Sequence, residues 1–123
     1  MNNILCQRLE IIHVNDVEKI VDNRIFPISG KQPRLINLED SAVYSRDKAN
    51  SGQGPILNET VTASTKEVGD FPFSELSLQY FILRLYTDKE SFVVGSLEYP
   101  AILTYTNDKL FVNLSLKTSS PAK

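Results

Sequence analysis

The chain has 123 residues, 41% apolar and 23% charged, the size and balance of one globular domain and not of a disordered segment. With 13 basic and 15 acidic residues and a net charge of -2 it lacks the clustered basic excess of a general phosphate-binding surface, so nucleic acid is not an expected partner. Cys6 is the only cysteine, which excludes an internal disulfide; the opening segment has no signal-peptide core and no run reaches bilayer length, so the expectation is a chain made in the cytoplasm without membrane insertion.

Residues 4–14 alternate as a strand, with Leu5, Gln7, Leu9, Ile11 and His13 on one face and Cys6, Arg8, Glu10 and Ile12 on the other. The period then changes. Asn15 with Glu18 three residues on reads as a capping box, and Val17, Ile20 and Val21 share a helical face, which predicts one short helix over residues 16–22. Two turns are too few to stand alone, so this helix must lean on the sheet. Pro27, Ser29-Gly30 and Pro33 punctuate the next segment, with Phe26 and Ile28 as apolar positions turned inward. Residues 34–38 alternate again, and the pattern extends towards Tyr44.

Residues 45–55 are the most polar stretch and are expected to form an exposed loop at the tip of a long β-hairpin, flanked by Tyr44 and Leu57. Residues 56–66 return to strand chemistry, with Val61, Ala63 and Thr65 opposite Thr60, Thr62 and Ser64. Gly69, Asp70 and Pro72 break the run, and residues 74–78 suit a helical turn or a crossing segment. A β-meander follows over residues 79–117. Phe81, Leu83 and Leu85 form its core-facing set; Thr87-Asp88-Lys89-Glu90 make a turn; Phe92-Val93-Val94 stop at Gly95; Asn107-Asp108 suit a two-residue hairpin before Val112, Leu114 and Leu116. Residues 118–123 read as a frayed tail.

Catalytic parts are sparse. His13 is the only histidine and lies in a strand, with Cys6 seven residues away and no further Cys or His to complete a zinc set. No Gly-x-Ser-x-Gly elbow is written. The acidic groups Glu39-Asp40, Glu67 with Asp70, and Asp88 with Glu90 all sit in turn-rich text, where acids serve solvation. Gly52-Gln53-Gly54 is half of a dinucleotide fingerprint without its third glycine or its β-α context. Tyr80, Phe81, Tyr86, Phe92, Tyr99, Tyr105 and Phe111, interleaved with Arg84, Lys89 and Lys109, could stack on single-stranded nucleic acid, but the acidic balance favours cross-strand pairs that stabilise the sheet. No catalytic residue, cofactor, metal or small-molecule substrate is expected.

The run Phe92-Val93-Val94-Gly95-Ser96-Leu97-Glu98-Tyr99-Pro100 stands out, with Leu83-Arg84-Leu85-Tyr86-Thr87-Asp88 before it and Lys117-Thr118-Ser119-Ser120-Pro121 after it. Over this C-terminal third the chain resembles small proteins of Bacteroides-type bacteria and of their phages and prophages, which often sit among virion or tail assembly genes. The resemblance implies a structural part of a phage-type particle and carries over no catalytic residue. The fold expected is mostly β, an antiparallel sandwich or partly closed barrel of about seven strands with one short helix, as a single domain over residues 1–123. The function expected is non-enzymatic assembly through contacts with other protein subunits, in a homo- or hetero-oligomer incorporated into a virion; the alternative is a cellular protein- or peptide-binding β module. The contact residues expected are Arg46, Asp47, Lys48 and Gln53 in the 45–55 loop.

Overall fold

The computed structural model describes residues 2–52, 54–65, 78–107 and 111–121. Eleven strands occur among them, not about seven: β1 (Asn2–Cys6), β2 (Arg8–His13), β3 (Val17–Val21), β4 (Arg24–Pro27), β5 (Arg34–Ile36), β6 (Ala42–Ser51), β7 (Gly54–Thr65), β8 (Tyr80–Tyr86), β9 (Ser91–Val94), β10 (Ala101–Asn107) and β11 (Val112–Pro121). The fold is mostly β, and every described pairing is antiparallel. Nine strands join in one sheet with the order β1-β6-β7-β11-β10-β8-β2-β5 and β9 beside β8, while β3 and β4 form a separate ribbon.

Gln7 sets the shape of the large sheet. It alone separates β1 from β2, yet five strands stand between them in the pairing order. Six strand spacings of ~4.8 Å would place them roughly 29 Å apart in a flat sheet, against a reach of about 7 Å for one intervening residue. The sheet must therefore curl strongly, although it is not a closed barrel. The strand expected over residues 4–14 also changes face here. Cys6 and Leu9 are both fully buried, whereas Leu5, expected beside Leu9, is 61% exposed. The Gln7 N–H donates to Tyr86 O at 2.9 Å and fixes the break.

The expected helix is absent. Val14–Asp16 make one 3-10 turn, with the Asn15 N–H donating to His13 Nδ1 at 3.1 Å, and residues 17–21 are strand. Val17, Ile20 and Val21 are β-branched and suit a pleated ribbon. Asp22 and Asn23, with φ of 52° and 63°, form the two-residue turn that returns the chain into β4. Glu18 is the extra residue of a bulge between Val17 and Lys19.

Residues 45–51, expected in a loop, continue β6, which pairs with β7 from Val43↔Thr62 to Ser51↔Gly54. Their polarity reflects an exposed two-stranded arm and not an unpaired loop. Residues 118–121, expected to fray, complete β11, and the buried Thr118 hydroxyl donates to Tyr99 O at 2.7 Å. The expectations for residues 66–77 lie outside the described residues, as does Asp108. Asn107, expected in that turn, is instead the last residue of β10 and pairs with Val112.

The C-terminal strands are not a simple meander. β9 and β10 lie along the same side of β8, through Val94↔Leu83 and Ala101↔Phe81. Residues 95–100 are looped out between them. Gly95 permits the departure: its φ is +94°, and a Cβ there would lie 3.5 Å from Ala101 N, Phe81 O and Ile82 Cδ1. Space is thus adequate, and the left-handed backbone is the constraint.

The curled sheet buries one face on itself. Leu9, Leu83, Leu85, Leu103, Leu114 and Leu116 form this core with inward residues of the other strands of the sheet. Each fully buried leucine contributes about 1.5–3 kcal/mol of transfer free energy. A smaller cluster of Ile12, Val17 and Ile82, with Ile20, Ile25 and Val93, joins the ribbon to the sheet's outer face. Gly95→Ala is expected to destabilise the protein by about 1–3 kcal/mol in urea unfolding. Gly52→Ala, where φ is not positive and no atom lies within 4 Å, is expected to stay within about 0.5 kcal/mol.

Candidate functional site

β6, β7 and β9 converge at one end of the curled sheet, where the β6–β7 arm leaves the core. A cleft of about 420 Å³ opens there, lined by Ile4, Asn23, Tyr44, Arg46, Glu59 and residues 90–93. The parity of β7 explains its polar floor. Leu57, Glu59, Val61, Ala63 and Thr65 share one face, so Glu59 is an acid on the core-facing side of the strand. Tyr44, opposite Val61 on β6, donates its hydroxyl to Glu59 Oε2 at 2.6 Å. Its ring meets Phe92 edge-on, with centroids 5.1 Å apart, so that β6 and β9 touch across the interior.

Burial chiefly, then the hydrogen bond to Glu59, pushes the Tyr44 hydroxyl far above its ordinary value of 10.0; the Arg46 guanidinium opposes the shift. Tyr44 therefore stays neutral and acts as a donor throughout the physiological range. The cleft presents a phenol donor, a carboxylate and a guanidinium between the apolar walls of Ile4 and Phe92, a set suited to holding a polar chain.

Of the expected contact residues, Arg46 lines the cleft and pairs opposite Glu59. Asp47 and Lys48 are exposed on β6, opposite Asn58 and Leu57, and being adjacent in a strand they point to opposite faces. Gln53 lies outside the described residues. Tyr44, Glu59 and Asn23 were not singled out in the sequence. The available signals were a carboxylate on the apolar parity of β7 and an Asp-Asn pair ahead of a second short strand.

The other candidates are dispersed. Cys6 is buried in the core, where burial raises its pKa, and the Asn15 N–H binds His13, whose ring packs against Phe81 at 5.4 Å. Among the described residues no group of three His, Cys, Asp or Glu could hold a metal. Glu39, Asp40, Asp88 and Glu90 are exposed, and Glu67 and Asp70 lie outside the described residues. The aromatics do not form one platform: Phe81 and Phe92 face the core, whereas Tyr86 lies outside between Arg8, 5.0 Å away, and Arg84, 5.7 Å away, with its hydroxyl on Glu10 at 2.8 Å. Burial and the Glu10 hydrogen bond raise its pKa as well. Gly52 lies in the turn of an antiparallel hairpin and Gly54 begins its second strand, which is not the β-α setting of a dinucleotide loop. No helix among the described residues is long and apolar enough to cross a membrane.

No family model, curated protein or solved structure matches this chain.

Tyr44→Phe is expected to lower stability by about 1–3 kcal/mol, since the half-buried Glu59 carboxylate loses a donor. Both tyrosines have folded pKa values raised above the unfolded value near 10.0, so their contribution is complete below that pH. It declines as pH rises further, because the unfolded chain releases these protons first. In urea titrations between pH 8 and about pH 11, Tyr44→Phe should fall less steeply than the parent.

Proposed function

We propose that this protein is a non-enzymatic assembly module that contacts other protein subunits, as a structural part of a phage-type particle. The observation that carries the reading is β1. It is an end strand of the nine-stranded sheet, and among the described residues it pairs with β6 alone. It carries Ile4, 37% exposed, and Leu5, 61% exposed. An end strand with exposed apolar side chains offers main-chain donors and acceptors together with apolar area, the two components of strand addition. The β6–β7 arm begins beside β1 and brings Arg46, Asp47 and Lys48 to the same region. Addition of a subunit strand at β1 would extend the sheet from one protomer into the next, and the charged arm would fix the register.

The alternative, a peptide-binding module of a cell, is supported by the cleft beside Ile4, with its Tyr44, Glu59 and Arg46 groups. The two differ in stoichiometry: an assembly module forms a ring or lattice of many copies, whereas a peptide module stays monomeric and takes one ligand.

Native mass spectrometry of the purified protein tests the choice. Leu5→Lys is expected to shift the protein towards monomer while circular dichroism and thermal midpoint stay unchanged, because the site is exposed. Deleting residues 52–54 is likewise expected to leave the fold intact and weaken assembly. An oligomer mass unaffected by both changes would refute the assembly reading.

A further inference from the structure

β9 has β8 on one side, and on its other side a single side chain takes the place of a strand. The Asn23 amide donates from Nδ2 to Ser91 O at 2.9 Å, and the Val93 N–H donates to Asn23 Oδ1 at 2.8 Å. One amide thus answers an outward carbonyl and an outward N–H two residues apart, the spacing of main-chain groups along an antiparallel edge. Arg84 steadies the arrangement, donating from Nη1 to Asn23 O at 3.1 Å and from Nη2 to Ser91 Oγ at 3.0 Å. Asn23 itself sits at the tip of the β3–β4 ribbon, which pairs with no strand of the large sheet among the described residues. Val17 is the one buried residue in the two strands of the ribbon, Ile20 and Ile25 are half-buried against the sheet, and Val21, Arg24 and Phe26 are exposed. So few buried apolar contacts are the mark of an element that opens locally.

The blocked groups are self-complementary. A second copy of β9, antiparallel about a two-fold axis at Phe92, would set its Val93 N–H against Ser91 O and its Ser91 O against the Val93 N–H. We propose that Asn23 blocks a latent β9–β9 interface between two copies of this chain, and that movement of the β3–β4 ribbon opens it. This interface uses a different edge from the β1 contact and does not depend on it. The Phe92 ring, turned inward onto Tyr44, takes no part; the new contacts are main-chain bonds flanked by Ser91 and Val93.

Asn23→Gly tests the blocker without disturbing the turn, since glycine accepts the positive φ of 63° at this position. The comparison is made in the Leu5→Lys background, so that association through β1 is read separately from the parent. Sedimentation velocity over a concentration series and amide exchange at Val93 are the two readouts. The expected result is faster exchange at Val93 in dilute protein and self-association about tenfold tighter than in the parent. Adding Val93→Pro, which removes the outward N–H at a position where an edge strand tolerates proline, should return the mass to that of the parent. A sedimentation profile identical to the parent's would overturn the proposal even if Val93 exchange accelerates, because Asn23 would then be only a structural tie. Association that survives Val93→Pro would overturn it too. If Leu5→Lys itself fails to alter assembly, the β1 reading falls, and the Asn23 comparison still stands against its own parent.

Discussion

One residue, Gln7, joins two strands that the hydrogen-bond ladder sets at nearly opposite ends of the sheet, and most of the architecture follows from that mismatch. The chain can satisfy it only by rolling the sheet until one face closes over itself. That face must then be apolar on every strand, and Leu9, Leu83, Leu103 and Leu114 from four different strands meet there. A rolled sheet has ends, and at one of them the apolar filling gives way to Tyr44, Glu59 and Arg46. The polar cleft thus lies at the mouth of the same interior, where the ring contact between Tyr44 and Phe92 still bridges opposite walls.

Rolling also decides how the molecule handles its edges. β5 ends the sheet on one side with only three residues, too short to template another strand. β9 is answered by the Asn23 amide. β1 keeps its apolar side chains exposed. Two edges are therefore muted by different means, one by brevity and one by an imitation strand, while β1 pairs on one side only among the described residues. The uneven treatment gives the assembly reading its direction, because a chain that suppressed all its edges alike would have no preferred contact.

Much of this was legible from alternation. The Val61-Ala63-Thr65, Phe81-Leu83-Leu85 and Val112-Leu114-Leu116 sets all face the core, and Gly95 leaves its strand as its position implied. Where alternation misled, the cause was local and physical. Val17, Ile20 and Val21 fit a helical spacing equally well, and the deciding information lay in Asp22 and Asn23, whose short polar side chains tolerate a left-handed turn. Polar residues 45–51 read as a loop because a projecting two-stranded arm has little apolar face to show. The cleft was the least legible part. Its groups come from β1, β6, β7, β9 and the ribbon turn, and no single segment holds enough of them to form a motif.

The lone thiol gains a use from its place in the fold. Cys6 sits fully buried at the end of β1, beside Gln7, with its sulfur 3.8 Å from Ile4 O. No second sulfur exists with which it could form an internal bridge. A thiol reagent can reach it only when the structure packed over β1 opens, so the rate of its labelling counts those openings. The molecule carries its own gauge of how often the roll comes undone.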